Sequence, residues 1–337
     1  MPSGLKVAVV EPTGVTGSEI VRILDERNFP VSELVLLGRK RSVGERVEFR
    51  GADIPVAALG EGSFSGVAIA FFATDRATSG KFSPMAVSAG AVVIDLSSCF
   101  ALDEQVPLVV PEINAEKIHT HRGIIASPRG ATIELVLPLA PIHRSARIRR
   151  IIVSTYQAVS DSGEPAMDEL TTQIRDLFNF RDVTLAVYPH QIAFNALPHI
   201  SSFTDNAYTE EEMAIIAETR KIFEDRHMRI CATSVRVPVF YSHAESVNIE
   251  TARKITASQV RELLAQTPGV RVEDDPSNNL YPTPIHATGN DECFVGRIRE
   301  DLSSDNGIAM WIVSDNLRKG SALNAIQIAE HMLKSQP

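Results

Sequence analysis

The chain has 337 residues, a formal net charge of −9, 44% apolar and 22% charged residues. That length suggests two domains, since single cores rarely grow past ~250–300 residues, and the acidic balance argues against non-specific nucleic-acid binding, which relies on basic patches. No apolar run reaches the ~18 residues of a membrane span, and the N-terminus lacks a signal peptide's apolar core. Cys99, Cys231 and Cys293 show neither metal spacing nor a paired framework, so no metal site and a reducing cytoplasm are expected.

The first ~130 residues alternate short apolar runs with helical patterns, as a buried parallel sheet with crossover helices requires. "LKVAVV", "ELVLLG", "VAIAFFA" and "AVVIDLS" read as strands, and "GSEIVRILDE" as a helix. The pattern is doubly wound α/β. After the first strand, Gly14 and Gly17 have the spacing that lets backbone approach a pyrophosphate and pack a helix on a strand. The turn itself begins with Glu11. A carboxylate there is expected to compete with phosphate for the helix N–H groups. At ~4 Å the repulsion is about 4 kcal/mol for an effective dielectric of 20. An α/β turn that binds nothing is the alternative. The second strand ends at Gly38, and "RKRS", Arg39 to Ser42, follows. Basic residues there suit the 2′-phosphate of NADP, or else form a solvated turn.

The second part carries longer runs rich in β-branched residues, "RIRRIIVSTYQAVS" and "RICATSVRVPVFYSHAESVNIETA". They suit an antiparallel or mixed sheet. Apolar residues at helical spacing mark Pro165–Phe178, and Thr209 with Glu212 forms a capping-box pattern. "NLRKGSALNAIQIAEHML" closes the chain as an amphipathic helix. Arg236 and His243 are seven residues apart, so strand alternation would set them on opposite faces. Taken alone, each reads more readily as a salt bridge and a structural histidine. Cys231 and Cys293 lie in strand-like apolar contexts and are expected to be buried, whereas Cys99 sits in a loop.

At this point the chain resembles the aspartate-β-semialdehyde dehydrogenases, nearly end to end. The stretches that carry the resemblance are "AVVIDLSSCF", "VPLVVPEIN", "VSTYQAVSDSG", "AFNALPHI", "SVRVPVFYSHAESVNIE", "FVGRIRED" and "DNLRKGSALNAIQIAE". The resemblance implies a homodimer. It also implies a dinucleotide-binding (Rossmann) domain over residues 1–129 with the C-terminal helix of about 318–337, and an α+β dimerisation and substrate domain over 130–317. It implies NADPH-dependent reduction of aspartyl phosphate, in which a cysteine forms a thioester and a histidine acts as acid and base. A thiolate suits that role as both nucleophile and leaving group, and arginine suits the planar grip on carboxylate and phosphate.

Residue by residue, Gln157 matches the substrate-orienting glutamine and His243 the acid–base histidine. Arg236 matches the arginine for the substrate carboxylate, and Glu211, or Glu212 one position on, the carboxylate for its amine. Thr13, Gly14, Gly17, Arg41, Ser42 and Asn316 fall at cofactor positions. Other positions depart. The nucleophile's Asn-Pro-Asn-Cys-Ser-Thr stretch is here "SPRGAT", which puts Gly130 at the cysteine and Arg129 before it. Ala101 stands at the phosphate arginine, Ala214 at a lysine, and Asp75-Arg76 at a glycine pair of the second cofactor loop. These departures are similar to those of Usg-type relatives. They imply a framework that binds a small anionic ligand, with NADP held weakly or not at all, and lacks the family reaction. The alternative is an active NADP-linked oxidoreductase with altered chemistry.

Overall fold

The computed structural model describes residues 4–334. It divides into two compact units, one running to Arg129 and taking in the segment from Ser321 on, the other Gly130–Gly320.

In the first unit the chain runs β1 (Leu5–Val10), α1 (Val15–Glu26), β2 (Val31–Gly38), β3 (Arg46–Phe49), β4 (Ala52–Ala58), β5 (Ile69–Phe72), α2 (Arg76–Ser88), β6 (Val92–Asp95), α3 (Pro111–Asn114) and β7 (Ile124–Ala126). The sheet order is β3-β4-β2-β1-β5-β6-β7. Alternate residues of each central strand serve opposite faces, and both faces are covered. Val7, Val9 and Phe71 pack with Ile20 and Leu24 of α1 and with Ile326 of the C-terminal helix. Ala8, Val10 and Phe72 pack with Phe64 and Ala86. Burial on both sides explains why these strands read as unbroken apolar runs. All pairings are parallel except β3–β4. That antiparallel pair escapes the sequence reading because its strands expose most of their residues.

The second unit runs α4 (Gly130–Ala146), β8 (Ile148–Gln157), α5 (Glu164–Phe178), α6 (Glu210–Ile222), β9 (Arg229–Arg236), β10 (His243–Thr251), α7 (Ala257–Ala265), β11 (Val270–Val272), α8 (Pro284–Ala287), β12 (Cys293–Glu300) and β13 (Gly307–Ser314). Its mixed sheet has the order β11-β12-β13-β10-β8-β9. One face is covered: Leu135 and Leu139 of α4, Ile215 of α6 and Leu264 of α7 join Ile151, Val153, Val247 and Met310 in one core. On the other face Ile152, Ser154 and Tyr156 of β8, Ser246 and Asn248 of β10, Cys231 and Thr233 of β9 and Trp311 of β13 stay partly or fully exposed. They stand in register, Thr233 beside Ser154, Ser154 beside Ser246 and Ser246 beside Trp311.

The expected capping box is present: Thr209 and Glu212 bond each other's backbone at the start of α6. Three expectations need correction. The long strand read over residues 229–252 is two strands, interrupted at 237–242. The closing helix α9 spans Leu323–Lys334 after a π-helical turn, Arg318–Ala322, so it begins later than its apolar pattern. Cys231 is exposed, because β9 turns it to the uncovered face, while Cys293 is buried.

Candidate functional site

The loop after β1 positions the first group of residues. Glu11 adopts φ 60°, a left-handed conformation that an ordinary side chain takes at a cost. Gly17 is obligatory here, since a Cβ on it would lie 2.0 Å from the Glu11 carbonyl oxygen. Gly14 caps α1 without a side-chain hydrogen bond, which leaves the first-turn N–H groups open to an anion. The Glu11 carboxylate does not turn to them, contrary to the expected competition. It accepts the backbone N–H of Arg39 at 2.8 Å, and the Arg39 guanidinium closes on it through Nε at 3.1 Å and Nη2 at 3.3 Å. Through Nη1, Arg39 also reaches Asp75, at 2.7 Å. Asp75 in turn caps α2 by accepting the N–H of Thr78, and that bond, ahead of the arginine, holds its carboxyl below the ordinary range. Thr13 is half-buried, Arg41 is exposed and Ser42 is buried, its hydroxyl donating to the Arg39 carbonyl. The uncapped α1 and the exposed Arg41 fit a dinucleotide's phosphates, whereas Arg39 is already committed to two carboxylates.

Within the second unit, Gln157, Arg236 and His243 come together at the end of β8. This corrects the opposite-face expectation, because the residues at 237–242 form no strand and alternation does not carry across them. Arg236 lies beside Gln157 on β9, and β10 enters from the other side of β8. Both residues bind Ala158: Arg236 Nη1 donates to its carbonyl at 2.5 Å, and its N–H donates to His243 Nδ1 at 3.2 Å. With Nδ1 accepting, a neutral imidazole carries its proton on Nε2. Burial pushes the His243 pKa down to about 4, with Asp161 opposing the fall and Arg236 adding to it. Gln157 Nε2 donates to Glu211 at 3.2 Å. Glu212 instead serves the capping box and accepts the Ser234 N–H at 2.9 Å. The geometry therefore brings Glu211, not Glu212, to this cluster. Asn316 accepts the Ser242 N–H and pairs with Ser160 Oγ, so its amide ties the two turns beside the cluster.

Three acids that the sequence reading passed over complete the surroundings. Asp161 pairs with Arg236 at 2.8 Å and is half exposed, while the guanidinium is buried. Arg236 thus already holds a carboxylate from its own chain. Glu134 and Glu245 are fully buried, and none of their carboxyl oxygens has a hydrogen-bond partner. Burial pushes both pKa values well up; nearby Glu245, Asp315 and Asp161 add to this for Glu134, and Glu211 for Glu245. A protonated carboxyl is the form such a site tolerates. Spacing could have found two of them: Glu134 is one helical turn after Gly130, and Glu245 shares a strand face with His243.

Gly130 opens α4. A Cβ built there would lie 3.2 Å from the Gly320 carbonyl oxygen. Gly320 is itself confined, since its own Cβ would come within 2.6 Å of Glu134 Oε1. Among the other thiols, Cys99 is half-buried and its pKa is pushed up, by burial first and by Asp95 second. That leaves it short of thiolate. Among the described residues no group of three His, Cys, Asp or Glu could hold a metal, and no helix is long and apolar enough to cross a membrane.

A doubly wound unit with an open-ended glycine turn, joined in one chain to a mixed-sheet unit holding a buried Gln–Arg–His cluster, defines a dehydrogenase-type architecture. Two family profiles match: semialdehyde dehydrogenase, NAD binding domain, over residues 6–121, and semialdehyde dehydrogenase, dimerisation domain, over residues 139–319. The chain is 49% identical over 333 residues to an aspartate-semialdehyde dehydrogenase of Legionella pneumophila, covering 98% of this chain and 96% of that one. It is 48% identical over 335 residues to one of Aquifex aeolicus, covering 98% of each. The crystal structure of aspartate semialdehyde dehydrogenase II from Vibrio cholerae superposes with a TM-score of 0.97 at 43% identity, over 99% of this chain and 100% of the other. The chain belongs to the aspartate-semialdehyde dehydrogenase family.

Proposed function

We propose that this chain is a Usg-type member of the family that retains a ligand-binding framework and does not reduce aspartyl phosphate. The observation that carries the reading is Gly130. Glycine has no side chain, so no acyl-enzyme forms there, and removal of a covalent nucleophile costs about 10⁶-fold in turnover in a well-studied protease. The Cys99 thiol, which burial pushes away from its thiolate form, supports the same reading. So does Asp161, whose carboxylate sits on Arg236, the group matched to the substrate's carboxylate. In this reading residues 1–129 with about 318–337 form the cofactor domain and 130–317 the substrate-type domain. Gln157, Glu211, Arg236 and His243 are then the residues that would receive a small anionic ligand.

NADP is the cofactor this reading assigns, held weakly. When bound, its nicotinamide supplies or accepts a hydride. Thr13 and Gly14 would face its pyrophosphate, with Gly17 letting α1 pack closely on the turn, Arg41 and Ser42 would face its 2′-phosphate, and Asn316 would belong to the cofactor-side motif. The uncovered sheet face around Ile152, Ser154, Tyr156 and Trp311 supports a homodimer, together with the dimerisation-domain match. Obligate dimers bury more than ~2,000 Å², and a single species at the monomer mass in micromolar sedimentation would refute the pairing.

The decisive assay is phosphate-dependent NADP reduction with aspartate semialdehyde, using protein from a host that lacks its own enzyme. The expected result is no turnover. Turnover near ~1 s⁻¹, typical of enzymes, would overturn the proposal. It would favour the second reading, an active NADP-linked oxidoreductase on an aldehyde or acyl group. That reading draws on the presence of Gln157, Glu211, Arg236 and His243 and on relatives 48% and 49% identical named as the enzyme.

A further inference from the structure

Glu11, Arg39 and Asp75 follow three different strands, β1, β2 and β5. These strands are parallel and adjacent, with β1 in the middle. All three residues therefore stand at the same edge of the sheet, outside its carboxyl ends. In open α/β sheets that edge is where ligands bind, with the pyrophosphate on the helix that follows β1. To reach Asp75 beyond β5, the Arg39 side chain leaves β2 and passes over the end of β1. On the way one edge of its guanidinium, Nε and Nη2, is filled by Glu11 at 3.1 and 3.3 Å, and Nη1 is filled by Asp75 at 2.7 Å.

We propose that Glu11, Arg39 and Asp75 form a closed ion-pair bar across the dinucleotide crevice of the first unit, which a ligand must break at Asp75 before its pyrophosphate can settle on α1. Glu11, which opens the turn after β1, and Asp75, which the resemblance matched to a glycine of the second cofactor loop, are then the two anchors of one device and not separate departures. The two ends differ in strength. Glu11 is buried, 7% exposed, and is also held by the Arg39 backbone N–H, whereas the side chains of Arg39 and Asp75 are 43% and 46% exposed. Exposed pairs of that kind are weak, so the Asp75 end opens first and Arg39 stays on Glu11. A ligand confined to the adenosine end, beside Arg41 and Ser42, does not cross β1 and does not meet the bar. This inference rests on the reading of the first unit as an NADP-binding domain.

The test compares NADP with adenosine 2′-monophosphate, its adenosine end without the pyrophosphate, by calorimetric titration of the full chain. Asp75→Asn keeps the oxygen that caps α2 and removes the charge that holds Arg39. NADP affinity is expected to rise about two- to fivefold, the range an exposed pair supports, while the monophosphate shifts by less than that. Glu11→Gln, which keeps an acceptor for the Arg39 N–H, loosens the other anchor and is expected to move NADP in the same direction. Equal shifts for both ligands would mean that charge alone acts, and no shift for NADP in either variant would mean that nothing is barred; each result sinks the bar and leaves the cofactor reading standing. Absence of binding of either ligand to the wild type and to both variants at millimolar concentration sinks the cofactor reading and the bar with it.

Discussion

The buried imidazole of His243 gives the second unit a specific acid sensitivity. In the unfolded chain a histidine titrates near 6.5, and in the folded protein burial brings His243 to about 4. Its folded pKa is depressed, so the stability it supports is fully present above ~6.5 and drains away as the pH falls toward 4, where both states are finally protonated. Integrated from pH 7.5 to pH 5, the loss is about 2 kcal/mol. Asparagine at this position removes the titration and can still accept the Ala158 N–H through its side-chain oxygen. The measurement is urea unfolding at pH 7.5 and pH 5 for both proteins, followed by tryptophan fluorescence. The single tryptophan, Trp311, lies on β13 and reports on the second unit alone. Other titrating groups, including Glu134 and Glu245, are common to both proteins and cancel in the comparison. The wild type is expected to lose about 2 kcal/mol more than His243→Asn over that interval. Parallel losses would show that the folded histidine protonates as freely as the unfolded one, and the account of its burial would fail.

Glu134→Gln is expected to remove a pH dependence of the opposite sense. A carboxyl whose folded pKa is raised supports stability below the ordinary carboxylate range and loses it as the pH rises. The variant should therefore gain on the wild type between pH 5 and pH 8 in the same unfolding assay, and no gain would mean that Glu134 is ionised and paired. Gly17→Ala places a Cβ 2.0 Å from the Glu11 carbonyl oxygen and should cost at least ~1–3 kcal/mol, the usual range for overpacking; calorimetric melting of the variant checks it. Thr209→Ala removes the side-chain half of the α6 capping box and should cost about 1 kcal/mol, read as a shift in the urea midpoint at unchanged slope. Gly130→Cys forces its Cβ to 3.2 Å from the Gly320 carbonyl and leaves Ala101 unchanged, so Ellman's assay should count one thiol beyond the exposed Cys231 while no turnover with aspartate semialdehyde is expected.

What could be read in advance followed what each stretch buries. The strands Leu5–Val10 and Ile69–Phe72 are covered on both faces and were visible as apolar runs. β3 and β4 lie at the sheet's edge with mostly exposed residues and left no such trace. The break between β9 and β10 hides in an apolar stretch without glycine, where Ser242 takes φ 70°; Pro238 within it was the available hint, since proline is excluded from central strands. The candidate site was legible as residue types, because Gln157, Arg236 and His243 could be matched one by one. Its internal pairings were not. Asp161 meets Arg236 across 75 residues and Glu11 meets Arg39 across 28, and only the strand order brings such partners together. The direction of the Glu11 carboxylate depended on one backbone angle that no pattern of residues announces.

The outward turn of β9 has a practical consequence. Of the three thiols, Cys293 is buried, Cys99 is half-buried, and Cys231 stands exposed beside Ile152 on the uncovered sheet face. The protein therefore carries its own chemical footprinting probe on the face proposed above for the pairing of two copies. A maleimide added to dilute protein should modify Cys231 quickly where that face is bare and slowly where a second chain covers it. The concentration dependence of a single labelling rate then reports the assembly equilibrium without an added tag or a substitution.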